Sequence, residues 1–276
     1  MTDGRAGDGP GAAGGPGLDV SRPHSARVWN YWIGGKDNFA ADRRVGDEVM
    51  TIYPGVAEIA RQSRLFLARV VRFLVLEARI DQFVDLGTGL PTADNTHEVA
   101  QGLNPGTRIV YVDNDPMVLS HARALLTSAA EGRTGYIDAD VRDVEQILAA
   151  AGGTLDLGRP VAVMMLGILG NIPDYQEARQ ITGRFMAAVA AGSYLVVNDG
   201  TKDAEGVAQA AIDLRAEAGD PYRLSTPDEI AGYLAGLELI EPGVVRTTDW
   251  RPDLHQARSK ILDVHCGIAR KPLRRT

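Results

Sequence analysis

Apolar and polar residues alternate along most of the chain with the two periods that distinguish helices from strands. Residues 56–78 place Phe66, Val70 and Phe73 at helical spacing with arginines between them, which predicts an amphipathic helix. Beyond that helix, short apolar runs alternate with longer helical patterns up to about residue 200. The runs that we predict as strands are 81–87, 107–113, 134–140, 159–166 and 192–199.

Helical patterns fill the intervals between these strands. The second predicted helix opens with Pro91 and Thr92, and the third has Asp115 as its N-cap and Pro116 at its first position. Strands that are separated by helices of this length pair in parallel through right-handed crossovers. The predicted helices of the intervals are 92–103, 115–130, 141–151 and 173–190.

The last part of the chain has a different pattern. Thr226 is followed three residues later by Glu229, a capping pattern that predicts a helix over 225–237. Two strands, 237–246 and 259–270, then predict an antiparallel end to an otherwise parallel sheet. We therefore expect one α/β domain, divided as a disordered tail over 1–18, a helical lid or extension over 19–80, and the sheet-bearing domain over 81–276.

Composition and charge narrow the classes of function. The chain has 276 residues, a net charge of −7 and no lysine- or arginine-rich run, so a nucleic acid is not expected as a partner. A single cysteine leaves no internal disulfide and no cysteine cluster for a metal, which fits the cytoplasm. No segment has the roughly 20 apolar residues of a membrane span, and we expect neither a metal nor a membrane partner. The oligomeric state stays open.

Acidic residues follow three neighbouring strands of the predicted sheet. Asp85 precedes a glycine turn at the end of the first strand, Asp113 ends the second, and Asp140 ends the third. Open α/β sheets bind ligands at this edge. Asp113 can accept both hydroxyls of a ribose, and Asp140 can accept from an exocyclic amine such as adenine N6. The turn alone could be a plain tight turn, but the three acids together predict a nucleoside pocket.

The glycine turn helps to choose between nucleoside cofactors. The fingerprint of a dinucleotide site has a third glycine at the position where this chain has Thr92. The negative charge of Asp85 would also be unfavourable beside a pyrophosphate. S-adenosylmethionine has an adenine, a ribose, a sulfonium, an α-ammonium and no phosphate. The acids therefore favour S-adenosylmethionine over a nicotinamide cofactor.

Several segments from about residue 22 to the C-terminus carry a resemblance to a known family. The most specific are "GGKDNFAADR" and "DLGTGLPT", supported by "RIVYVDNDPMVLSHARALL", "PVAVMMLGILGNIPD" and "GSYLVVNDG". The chain resembles the bacterial S-adenosylmethionine-dependent methyltransferases of the methyltransferase-19 group, formerly a domain of unknown function. The resemblance implies the class I methyltransferase fold, a Rossmann-like, mostly parallel sheet of seven strands with an antiparallel last strand.

The resemblance also implies which residues contact the cofactor. The glycine loop would face the methionine part, Asp113 the ribose, Asn114 the adenine, Asp140 and the Val141 amide the adenine edge, and the end of the fourth strand the sulfonium. The implied contacts along the α/β domain are Asp85, Gly87, Thr88, Gly89, Asp113, Asn114, Asp140, Val141, Leu166 and Gly167.

The segment "RVWNYWIGGKDNFAADRR" at 27–44 places two tryptophans, a tyrosine and a lysine around the glycine pair Gly34-Gly35. In class I methyltransferases the segment before the first strand commonly folds over the cofactor. We therefore expect a lid in which Tyr31 faces the sulfonium, Lys36 pairs with the methionine carboxylate, and Asn38 lies at the site. The alternative is a helix that only packs against the end of the sheet.

The methyl acceptor is the least constrained part of the prediction. Asn38, Asn171 and Asp199 are the candidate catalytic residues, although relatives often carry histidines near Gly170 and Asp199, so no base is assigned. We expect a methyltransferase that acts on a small molecule, in secondary metabolism. The alternatives are a catalytically silent protein that binds S-adenosylmethionine or S-adenosylhomocysteine for regulation, and a nicotinamide-dependent reductase.

Overall fold

The computed structural model describes residues 19–92, 94–125, 131–252 and 262–273. Nine helices and one mixed sheet are found within these ranges, and the predicted tail over 1–18 lies outside them. The helices are α1 (Ser25–Trp32), α2 (Ala40–Ile52), α3 (Val56–Leu76), α4 (Thr96–Leu103), α5 (Pro116–Leu125), α6 (Val144–Ala151), α7 (Tyr175–Ala188), α8 (Val207–Glu217) and α9 (Pro227–Tyr233).

The sheet has the spatial order β3-β2-β1-β4-β5-β8-β6, with β7 also paired to β8. The first five strands are parallel, and β8 runs antiparallel to β5. The strands are β1 (Gln82–Leu86), β2 (Arg108–Asp113), β3 (Arg133–Asp138), β4 (Ala162–Leu166), β5 (Tyr194–Gly200), β6 (Glu238–Leu239), β7 (Val245–Arg246) and β8 (Val264–Arg270).

This topology confirms the predicted fold class. Of the two C-terminal strands expected from the sequence, the first is interrupted: β6 and β7 pair with different parts of β8 and share one edge position. Because β6 and β7 share one position, the eight strands of the described sheet occupy seven positions. The last strand of the chain, β8, runs antiparallel to the others. The order in which strands are added to the sheet reverses between β1 and β4, and the carboxyl ends of the strands leave a crevice for ligands at that point.

Each face of the sheet is covered by helices whose apolar positions are buried. On one face, α3 contributes Phe66, Val70 and Phe73, the positions that its periodicity marked as core. The opposite face packs against α6, α7 and α9. A third apolar cluster joins α1, α2, the start of α3 and α8, and it includes Val28, Trp32 and Val49. This cluster holds the N-terminal helices over the carboxyl edge of the sheet.

Local sequence signals account for most helix ends. Thr226 and Glu229 form the predicted capping box of α9, and the Asp115 carboxylate caps α5 through the Met117 amide at 2.7 Å. The helix predicted over 92–103 is present as α4, but its predicted start was wrong: the helix starts at Thr96, because Asn95 with Glu98 forms its capping box. The sequence analysis also missed α8, whose small residues show little contrast between faces.

Candidate active site

A cavity of about 380 Å³ opens at the carboxyl edge of the sheet. Its floor is formed by the loops that follow β1 to β5, and its walls by α1, α3, α8 and the C-terminal end of α2. The structure brings together most of the residues predicted for the site. Those that line the cavity are Asp85, Gly87, Thr88, Gly89, Asp113, Asn114, Asp140, Val141, Leu166, Gly167 and Asn171.

The glycine turn after β1 exposes backbone to the cavity. Gly87 and Gly89 have φ values of 69° and 67°, a region that side chains other than glycine rarely adopt. A Cβ at Gly89 would have no atom within 4 Å, whereas a Cβ at Gly87 would lie 2.6 Å from the Cδ1 atom of Ile168. Gly89 therefore presents open backbone to a ligand, and Gly87 permits the packing of Ile168 beneath the turn.

Asp85 is a buried carboxylate at the end of β1. The hydroxyl of Thr96, at the start of α4, donates to its Oδ2 atom at 2.6 Å. Burial raises the pKa of Asp85 to about 6, and the Thr96 hydrogen bond and the Arg64 guanidinium oppose that shift. A cationic group in the cavity would favour the ionised form further.

Asp113, the last residue of β2, links two neighbouring loops. Its Oδ2 atom accepts from the Gly89 amide at 2.8 Å, and its Oδ1 atom accepts from the Asp115 amide at 3.0 Å. Burial raises the pKa of Asp113, and both amide hydrogen bonds favour the carboxylate. Each oxygen keeps acceptor capacity beyond one hydrogen bond, which a ligand hydroxyl can use.

The third and fourth strands complete this half of the cavity. Asp140, two residues beyond β3, pairs with Arg142 at 3.0 Å, and Val141 is buried beside it. After β4, the Gly167 amide donates to the Asn198 carbonyl at 2.7 Å, and Gly167 has a φ of 76° with open space on its Cβ side. The backbone at both glycine turns thus forms a cradle that a side chain would fill.

The predicted lid residues lie outside the cavity lining. The Tyr31 hydroxyl donates to Asp47 at 2.6 Å, and Lys36 is exposed. The Asn38 amide donates to the Asn30 side chain and to the Gly35 carbonyl, both at 3.0 Å. The polar groups of this segment therefore mostly bond to one another. Three other residues of the same segment, Trp29, Asn30 and Trp32, line the cavity in their place.

A buried ion pair connects the N-terminal helices to the β2 loop. The Nε atom of Arg27, in α1, lies 3.4 Å from Asp42 of α2 and 3.9 Å from Asp115. The Asp115 amide in turn donates to Asp113. Asp115 thus links Arg27 of α1 to Asp113, the predicted ribose acid.

Arg64 is a cavity residue that the sequence analysis missed. It lies on α3 and lines the cavity close enough to Asp85 to oppose the rise of its pKa. Burial lowers the pKa of Arg64 itself, which Asp85 partly offsets. The available signal was a run of arginines spaced along an amphipathic helix, with nothing to show which one faces inward.

Asp199 is fully buried below the cavity, between two lining residues, Asn198 and Gly200. The Tyr222 hydroxyl donates to its Oδ1 atom, and its Oδ2 atom accepts no hydrogen bond from the residues that the structure describes. Burial raises the pKa of Asp199 to about 7. The Tyr222 ring lines the cavity and fills the space over Gly170, where any Cβ would overlap it.

The half of the cavity beyond β4 is mainly apolar. Trp29, Ile59 and Leu224 are among its lining residues. Two polar pairs interrupt this surface: Arg215 with Asp220, joined at 2.6 Å, and Tyr53 with Asp263, joined at 2.8 Å.

Metal-binding clusters and membrane-spanning helices are two features that the described ranges do not contain. No group of three or more histidine, cysteine, aspartate or glutamate side chains there is placed to hold a metal ion. None of the helices in those ranges has the length and apolar character to cross a membrane.

Comparisons with known proteins agree with this geometry. The family model of the S-adenosyl methyltransferases matches residues 12–272, whereas none of the curated proteins matches significantly. A DUF574 family protein from Streptomyces avermitilis is 40% identical, with 92% of this chain and 99% of that chain covered and a TM-score of 0.89. A methyltransferase candidate from Thermobifida fusca is 42% identical, with 93% and 98% covered and a TM-score of 0.85.

More distant similarity shows the fold alone. Human N-acetylserotonin methyltransferase, crystallised with S-adenosylmethionine, is 14% identical, with 83% of this chain and 57% of that chain covered and a TM-score of 0.50. The match to the family model covers nearly the whole described chain. The protein therefore belongs to the S-adenosyl methyltransferase family, with S-adenosylmethionine as its cofactor.

Proposed function

We propose that this methyltransferase transfers a methyl group to an apolar small molecule, in cytoplasmic secondary metabolism. The observation that carries the proposal is the division of one cavity into two unlike halves. The loops after β1, β2 and β3 present acids and open glycine backbone, whereas the region beyond β4 is mainly apolar. The first half suits a polar, cationic cofactor and the second an apolar acceptor.

The proposed cofactor contacts follow the chemistry of each lining group. Asp113 would hold the ribose hydroxyls, and Asp140 with the Val141 amide would bind the adenine edge. Asp85 would bind the α-ammonium, and the backbone at Gly87 to Gly89 and at Leu166 to Gly167 would approach the methionine part. Thr88 and Asn114 line the same half and complete the set.

For the methionine carboxylate we propose Arg64. It lines the cavity beside Asp85, so the two side chains together match the zwitterion of an α-amino acid. Guanidinium groups bind carboxylates with directed hydrogen bonds. Lys36, the residue expected from the sequence, is exposed and outside the lining.

The bound cofactor supplies an activated methyl group, and the chain supplies position and exclusion of water. Methyl transfer needs an acceptor atom held in line with the methyl group, which binding alone can achieve. Trp29 and Trp32 on α1 line the wall of the cavity, where their rings would exclude water from the reacting groups. Of the candidate catalytic residues, Asn171 lines the cavity, Asp199 could act through Tyr222, and Asn38 holds the loop after α1.

We extend the proposed lid to the whole of α1 and α2. These helices share the apolar cluster of Val28, Trp32 and Val49 with α8, so removal of residues 1–44 would expose buried surface. Hydrogen exchange with S-adenosylhomocysteine is a cleaner test than truncation. Slower exchange at 27–39 together with 85–90 would support a lid, and slower exchange at 85–90 alone would assign the segment to packing.

The proposal is tested by calorimetry followed by an S-adenosylhomocysteine release assay over a panel of apolar amines, phenols and carboxylic acids. Binding with turnover of one class supports it. Turnover of a macromolecule and of no small molecule would contradict the acceptor class. No observation on the described residues favours the silent regulatory alternative, and family membership decides against the nicotinamide alternative.

A further inference from the structure

The sheet order separates the two ends of the cavity. The predicted cofactor contacts extend from the loop after β3 to the loop after β4. The next positions along the same edge are the end of β5 and the start of β8, since Gly200 is paired with Val264. Asp263 immediately precedes β8 and lines the cavity there, so it lies on the side of β4 away from the adenine and ribose contacts.

Asp263 is held by a residue from the opposite wall. Tyr53 follows α2, lines the cavity, and donates its hydroxyl to the Oδ2 atom of Asp263 at 2.8 Å. This bond joins two residues that are 210 positions apart. The hydrogen bond orients the Asp263 carboxylate, and the Oδ1 atom of Asp263 can still accept a hydrogen bond from a ligand.

The surroundings of this pair are apolar. Ile59, Leu262 and Val264 form a buried cluster against which Trp29 and Tyr53 pack. Burial raises the pKa of Tyr53 well above its ordinary value, and the hydrogen bond to Asp263 adds to this shift. A charge in such surroundings attracts an opposite charge more strongly than it would in water.

The other polar pair in this half is already matched. Arg215 bonds to Asp220 through two nitrogen atoms, at 3.0 and 2.6 Å, and both side chains are buried. The Arg215 guanidinium also lies over the rings of Trp32 and Tyr222. Two of its donors are therefore directed to Asp220 and its faces to aromatic rings, so the Asp220 charge is balanced within the pair. Asp199 is buried below the cavity and does not line it, whereas the Asp263 carboxylate lines the cavity and is held by a neutral hydroxyl.

We propose that Tyr53 and Asp263 form the recognition point for an amino group on the methyl acceptor, so that the enzyme selects apolar, ring-bearing amines. The inference rests on the proposed function, because it assigns the second half of the cavity to the acceptor. The carboxylate binds the amino group, Tyr53 fixes the carboxylate, and the apolar cluster receives the ring. A carboxylic acid of the same shape would be repelled.

The test uses two probes of similar shape and opposite charge, phenethylamine and phenylacetate, titrated into the full-length protein saturated with S-adenosylhomocysteine. We expect phenethylamine to bind at least 10-fold more tightly than phenylacetate. Equal binding of the two, tighter binding of phenylacetate, or binding of neither would overturn the proposal. This comparison needs no variant, so it does not depend on a substitution being tolerated.

Variants then locate the effect. Asp263→Asn should weaken phenethylamine binding at least 10-fold, and Tyr53→Phe should weaken it about threefold. Glu48→Gln, an exposed carboxylate on α2 outside the cavity lining, should leave it unchanged. Unchanged binding in Asp263→Asn would overturn the assignment. The affinity for S-adenosylhomocysteine should stay the same in all three variants; its absence in the wild-type protein would instead contradict the proposed function.

Discussion

The two ends of the cavity are built in different ways. At the cofactor end, Asp85 lies near the end of β1 and Asp113 is the last residue of β2. The glycine turn follows β1 directly. At the acceptor end, Tyr53 meets Asp263 across 210 residues of chain. The acids and glycines of the cofactor end therefore depend on local strand-and-loop motifs, whereas the acceptor end depends on how the N-terminal helices pack over the sheet.

This difference suggests how the two ends can change in sequence. A motif confined to a strand and its loop keeps its geometry when distant helices change. A pair that bridges two walls depends on every contact between them, including the cluster of Val28, Trp32 and Val49. We therefore expect substitutions at the cofactor end to alter cofactor affinity alone, and substitutions at the acceptor end to leave it intact.

The largest effect is expected at Asp113. Asp113→Ala should weaken S-adenosylmethionine binding by about 1.5–3 kcal/mol, the range for hydrogen bonds to charged groups, because the ribose hydroxyls and the Gly89 amide lose their acceptor. Asp138→Ala is the matched control, since Asp138 is the exposed register partner of Asp113 on β3. Calorimetry that gives equal affinities for the two variants would remove Asp113 from the site.

A smaller effect is expected at Arg64. Arg64→Gln should lower cofactor affinity roughly 10-fold, about 1.4 kcal/mol, because the carboxylate of the methionine part loses its cation. Arg61→Gln, one turn earlier on α3 and exposed, serves as the control.

Lys36→Ala should change affinity for the cofactor by less than about 0.5 kcal/mol, as for most surface positions. The reverse order, with Lys36 the more sensitive residue, would restore the original expectation.

The cofactor end was readable from the sequence because its signals are local. Asp85, Asp113 and Asp140 follow three strands whose carboxyl ends must meet at one edge, and all three line the cavity. Arg64, Tyr53 and Asp263 could not be assigned, because nothing in their own neighbourhoods shows which way they face. Their placement depends on tertiary packing.

The segment over residues 27–44 teaches the opposite lesson. Its density of polar residues suggested ligand contacts, yet Asn38 bonds to Asn30 and Gly35, and Tyr31 bonds to Asp47. A short loop between two helices leaves backbone and side-chain groups that must find partners. A high local density of polar residues therefore does not distinguish a binding site from a loop whose polar groups form hydrogen bonds with one another.

Asp199 allows a test through stability. Its pKa is raised from 3.8 to about 7 by burial, so the folded state favours the protonated form. The contribution to stability is full below about pH 4 and is lost as the pH rises through 7. Asp199→Asn should thus match the wild type near pH 4 and melt higher at pH 8, by about 2–4 °C per kcal/mol. Asp213→Asn, exposed on α8, should show no such pH dependence. If the difference in melting temperature between Asp199→Asn and the wild type does not change with pH, the pKa of Asp199 is not raised.

Hydrogen exchange with and without S-adenosylhomocysteine tests the division of the cavity most directly. The two-ended account predicts slower exchange at 85–90, 113–115 and 139–142, with residues 262–266 at the start of β8 unaffected until an acceptor is added. Protection at 262–266 by S-adenosylhomocysteine alone, with none at 85–90, would contradict it.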